Sequence, residues 1–139
     1  MREVTRLMIN DFRIFELGYD FAGYRVDRKS SLDFHHLLVS KRHCKVVGLG
    51  EGYDYFNGCI LNHDSSHPYL HTIEAKDYDR FCYLTSEMFD MKIKGYLDIK
   101  NLRKIADILR SFEKEYCSAR TKKGKILIKE EFIKGRMIR

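Results

Sequence analysis

The stretch His63–Thr72, HDSSHPYLHT, holds three of the chain's six histidines and its single proline, and all six histidines lie between positions 35 and 71. Imidazole does two kinds of chemistry near neutral pH: it ligates divalent ions and it exchanges protons. His67 and His71 are four apart, so on a helix they project side by side and can share one metal ion. A third ligand must then arrive from elsewhere. The adjacent pair His35–His36 offers one, because neighbouring residues of a strand point to opposite faces. One of the two can meet the helical pair while the other remains to move a proton.

The elements that must position these residues are legible nearby. LDFHHLL at 32–38 is short, bulky and aromatic, and predicts a strand; NGCILN at 57–62 predicts a second, opened by a turn signal. Between them VSKRHCKVVGLGEGYDYF reads as a loop with Gly48, Gly50 and Gly52. G-L-G-E-G has the wrong spacing for a dinucleotide fingerprint, so these glycines are expected to serve backbone conformation. DSSHPYLHTIEA predicts a helix capped by Ser65 or Asp64, with Pro68 in the first turn, where its missing N–H costs little. KDYDRFCYLTSEMFD predicts another, with Tyr78, Phe81, Thr85 and Met88 on one face and Gly95 in the connector after it. In LDIKNLRKIADILRSFEKEY, Leu102, Ile105, Leu109, Phe112 and Tyr116 recur in steps of three and four behind Asp98, a candidate N-cap. Residues 1–30 stay open between helix (TRLMINDF) and strand or turn (YDFAGYRV).

At 139 residues, 44% hydrophobic and 33% charged, the chain has the composition of one globular domain. No apolar run approaches the roughly 18–20 residues a membrane span requires, and the N-terminus interleaves charges with apolar residues, unlike a secretory signal. The expectation is a cytoplasmic protein with no membrane partner. Cys44, Cys59, Cys82 and Cys117 contain no C-x-x-C, which argues against a disulfide framework or zinc ribbon and for buried thiols in most cases. The formal charge is +6, and residues 118–139 carry eight Lys or Arg against two Glu, leaving 18 of each sign in residues 1–117. The whole surplus sits at the C-terminal end, where an arm contacting a polyanion would carry it.

HH…N…H-x-x-x-H in the order strand, loop, strand, helix resembles the HNH, or His-Me finger, endonucleases, and within them the colicin-nuclease type. The resemblance covers residues 31–75, and implies that His35, His67 and His71 bind metal and that His36 is the general base. It further implies that Asn57 pins the intervening loop, and so the base, and that Asp33 matches an acidic position of the colicin enzymes. The chain lacks the proline common shortly after the double histidine, and its loop before Asn57 is long. The expected fold is α+β, a ββα-metal finger at 31–75 embedded in a small domain with additional C-terminal helices at 76–117 and a basic arm at 118–139. The expected activity is hydrolysis of phosphodiester bonds in nucleic acid, DNA first of all, leaving 5′-phosphate and 3′-hydroxyl ends. One divalent ion, Mg, Mn, Ni or Zn, is the expected cofactor. Lys41, Arg42, Arg120, Lys122 and Lys123 are the candidate contacts to the substrate backbone. Small proteins of this family are common in phages and mobile elements. Two other readings compete: a structural zinc module of Cys44, Cys59, His63 and His67, and a non-catalytic regulator or inhibitor of the same fold that binds nucleic acid or a nucleic-acid enzyme.

Overall fold

A computed structural model describes residues 1–116. The chain forms α1 (Glu3–Asp11), α2 (Ile14–Leu17), β1 (Leu32–His36), α3 (Lys41–Val46), a 3₁₀ turn (Tyr55–Asn57), β2 (Gly58–Asn62), α4 (Ser66–Lys76), α5 (Tyr78–Lys94) and α6 (Ile99–Tyr116). β1 and β2 pair antiparallel, from Leu32 opposite Asn62 to His36 opposite Gly58. Helices around one small antiparallel sheet make this an α+β domain, as expected.

Burial decides how the elements meet. α1 packs on β2, and α4 packs on β2, α5 and α6. Met8, Phe12, Ile14 and Phe21 from the N-terminal segment join Ile60, Leu70, Ile73, Leu84, Met88, Met91, Ile105 and Leu109 in one core. At about 25 cal/mol per Å² of apolar area, this shared burial is what holds such short strands in place. The ambiguous N-terminus thus resolves as two helices, α1 and the one-turn α2, followed by a turn whose Tyr19 and Arg25 form an isolated bridge. Asp98 does cap α6, accepting from the Lys100 N–H at 2.8 Å.

Two local expectations need correction. The loop after β1 contains a helix, α3, whose N-cap Ser40 accepts from the His43 N–H. Six residues with a single buried side chain, Cys44, give no periodic apolar signal. On α5 the inward stripe is Phe81, Leu84, Met88 and Met91, while Tyr78 is 63% exposed. The helix runs on to the left-handed Gly95, so the face buried against α4 and α6 is rotated from the one read around Tyr78 and Thr85. Of the cysteines, Cys44 and Cys59 are buried, whereas Cys82 is exposed. Cys117 and the side chain of Tyr116 lie outside the described residues.

Lys92 is the one lysine among the buried residues described. Its ammonium donates to the Tyr55 carbonyl at 2.6 Å and sits 3.9 Å from the Tyr55 ring centroid. Burial lowers its pKa to about 8. Between pH 8 and the ordinary value of 10.5 the unfolded chain holds a proton that the folded chain has released, so stability rises with pH across that window. The expected rise is on the order of 2 kcal/mol. It should be absent in Lys92→Met when urea midpoints of the two proteins are compared at pH 7.5, just below the window, and at pH 10, near its upper edge.

Candidate functional site

The strand pairing sorts the residues of β1. Asp33 and His35 share the face that looks onto α4, and Phe34 and His36 take the other. His35 is fully buried. α4 brings His67 and His71 to it one turn apart, with ring centroids 5.3 and 5.4 Å from that of His35 and 4.5 Å from each other. One nitrogen of each ring lies within 4.8 Å of the others, so three imidazoles from two elements converge and can hold a metal ion.

The surrounding acids orient these rings. Asp33 Oδ2 lies 2.7 Å from His67 Nδ1, and a carboxylate only accepts, so Nδ1 carries the proton and Nε2 keeps its lone pair. Glu74 Oε1 stands 3.5 Å from His71 Nδ1 and favours the same arrangement there. The two Nε2 atoms lie 2.8 Å apart, a contact in which one must donate to the other, and binding an ion between them would displace that proton. Asp33 Oδ2 also accepts from His63 Nδ1 at 2.7 Å. Burial acts to raise the Asp33 pKa, but the hydrogen bonds from His67 and His63 outweigh it and hold the carboxyl below its ordinary value. The donor set fits a divalent ion: three imidazoles converge, and the far nitrogens of two of them, His67 and His71, face the carboxylates of Asp33 and Glu74. Asp33→Ala is expected to weaken Ni²⁺ or Zn²⁺ binding by about 10–100-fold, measured by isothermal titration calorimetry.

His36 is held differently. Its Nε2 lies 2.8 Å from the Glu51 carbonyl, which can only accept, so Nε2–H donates and Nδ1 is the basic nitrogen. Its ring meets Phe34 and Tyr53 edge-on, at 5.1 and 5.0 Å between centroids. The Arg2 guanidinium covers the Tyr53 ring at 3.5 Å and pairs with Glu51 at 3.8 Å, so α1's leading edge buttresses the segment that holds His36.

Asn57 closes the loop between the strands. Its Oδ1 accepts from the N–H groups of Leu38 and Val39, and its Nδ2 donates to the carbonyls of Val39 and Gly52. Gly52, at φ +74°, must be glycine: a Cβ there would lie 2.3 Å from Cys44 Sγ and 3.1 Å from the His36 ring. Gly58 likewise lies under the Phe34 ring, where a Cβ would come within 2.2 Å.

His36, His67 and His71 open on one cleft of about 600 Å³, together with Asp33, Ser40, Lys41, Arg42, Lys45 and His63. Lys41 and Arg42, candidates from the sequence, line this cleft. His63, named only in the alternative zinc set, and Lys45, not singled out in the sequence, line it too; α3 carries Lys45 in, one turn from Lys41 and Arg42, a spacing that becomes a signal only once α3 is known. Arg120, Lys122 and Lys123 lie outside the described residues. The alternative zinc set does not assemble. Cys59 is buried beside Met88 and Cys44 Sγ contacts the Val39 carbonyl, and the convergent group of potential ligands among the described residues is His35, His67 and His71. No helix among these residues is long and apolar enough to cross a membrane. Comparison with protein-family models, curated proteins and solved structures gives no match.

Proposed function

We propose that the protein is a metal-dependent endonuclease of the HNH type that hydrolyses phosphodiester bonds in nucleic acid, DNA first of all. The observation that carries this reading is one cleft with two kinds of histidine: His67 and His71, which converge with the buried His35, and His36, tied by Nε2 to a carbonyl. His36 Nδ1 takes a proton from the attacking water as the new P–O bond forms. The bond from phosphorus to the 3′ oxygen breaks, and that oxygen leaves as a hydroxyl after gaining a proton from solvent. General-base help of this kind contributes about 10²–10⁴-fold. His35, His67 and His71 would hold a divalent ion, which when bound would supply Lewis-acid stabilisation of the charge on the phosphate. Lys41, Arg42 and Lys45 hold the flanking phosphates without reading sequence. Asn57 ties the backbone that follows His36 to that of Gly52, beside the carbonyl that holds the His36 ring.

Imidazole ligands suit Zn²⁺ and Ni²⁺, and phosphate chemistry in cells has Mg²⁺ and Mn²⁺ at hand. The test is supercoiled plasmid incubated with metal-stripped protein and then with each of these ions separately. Conversion to nicked or linear DNA with at least one ion is the expected result. No conversion with any ion, from protein that binds both metal and DNA, would replace this reading with the non-catalytic regulator.

A further inference from the structure

A second cavity, of about 450 Å³, adjoins the cleft and shares His36 and Ser40 with it. It runs past Leu38, His43 and Glu74 to the Tyr78–Phe81 pair at the start of α5. We infer that this groove receives an unpaired base of the nucleotide beside the scissile phosphate, which makes strands with unpaired nucleotides the substrate class. The inference rests on the nucleic-acid reading of the cleft.

The two cavities differ in charge. The cleft has Lys41, Arg42 and Lys45 on its wall against one carboxylate, Asp33, which is hydrogen-bonded to His63 and His67, whereas the groove's charged side chain is Glu74, one turn beyond His71 on α4. A carboxylate repels phosphate and accepts hydrogen bonds from the N–H edges of bases, so the sugar–phosphate chain is directed to the cleft and a base to the groove. The walls suit a flat ring. Tyr78 and Phe81 lie near parallel, with centroids 5.9 Å apart and planes 29° from each other. Tyr78 is 63% and Leu38 52% exposed, a cost in apolar hydration that a stacked base would remove. A base within a duplex is already stacked and paired, and reaching the groove would require pulling it out.

The test measures binding, so that it does not depend on catalysis. Metal-stripped protein in EDTA is titrated into a fluorescein-labelled single strand and into the duplex of the same sequence, and anisotropy is followed. Tyr78→Ala is expected to weaken single-strand binding by about tenfold, leaving duplex binding unchanged. Tyr78→Phe should behave as wild type, since it keeps the stacking face. Equal losses on both probes, no loss on either, or no binding of the single strand by wild type would each overturn the inference. Selective loss on the single strand, in a protein that cuts nothing, would uphold the groove and remove the nuclease assignment instead.

Discussion

His36→Ala is expected to lower metal-dependent plasmid cleavage by about 10²–10⁴-fold while leaving metal affinity close to that of wild type. The two halves of this expectation come from the same strand geometry. His35 faces α4 and joins His67 and His71, whereas His36 turns to the opposite face, toward Tyr53 and the Glu51 carbonyl. Removing its ring takes away the basic nitrogen without touching the three-imidazole cluster. His67→Ala provides the contrast, since it should lose metal binding and cleavage together. The decisive comparison is calorimetric metal binding beside cleavage rate for both variants. Cleavage by His36→Ala at the wild-type rate would remove His36 from the mechanism. A joint loss of affinity and rate in His36→Ala would mean that the ring supports the cluster rather than acting as a base.

Much of this site is legible in the sequence because its signals are local and periodic. Four-residue spacing on α4 pairs His67 with His71, alternation along β1 sends one of His35 and His36 to meet them, the resemblance names His35, and Asn57 announces the turn it closes. What stays hidden is of another kind. The acceptor that orients His36 is the Glu51 carbonyl, and a backbone group leaves no trace in residue types. The Arg2–Tyr53 contact joins positions 51 residues apart, and nothing in either neighbourhood points to the other. α3 is too short to produce a stripe, so Lys45 could not be placed beside Lys41 and Arg42. Lys92 and Asp20 look like ordinary surface charges in sequence, yet both are buried. Their burial follows from the packing of several elements at once, which no window of ten or so residues contains.

Asp20 carries the second large expectation: Asp20→Ala should destabilise the fold by on the order of 3–5 kcal/mol and lower Tm by roughly 10 °C or more. The carboxylate is fully buried, and burial pushes its pKa up against the pull of four hydrogen bonds. Oδ1 accepts from the N–H groups of Ala22 and Tyr24; Oδ2 accepts from the Asn62 N–H and the Ser66 hydroxyl. Alanine would leave the Ala22 and Tyr24 N–H groups and the Ser66 hydroxyl without this acceptor, whereas the Asn62 N–H keeps a second one in Ser66 Oγ at 3.1 Å. Asp20→Asn should cost less, and its geometry says why. An amide NH₂ facing Ala22 and Tyr24 would meet two backbone donors that cannot change role. Facing Ser66 and Asn62 it meets one such donor and a hydroxyl that can rotate to accept. Thermal denaturation of the three proteins should therefore rank wild type above Asn above Ala. The consequence reaches the candidate metal centre, because Asn62 ends β2 and Ser66 begins α4, the helix that carries His67 and His71. Where Asp20→Asn still folds, its Zn²⁺ or Ni²⁺ affinity should fall although no ligand has changed. Unaltered affinity in a folded, destabilised Asp20→Asn would show that the strand-to-helix junction holds its place without this carboxylate.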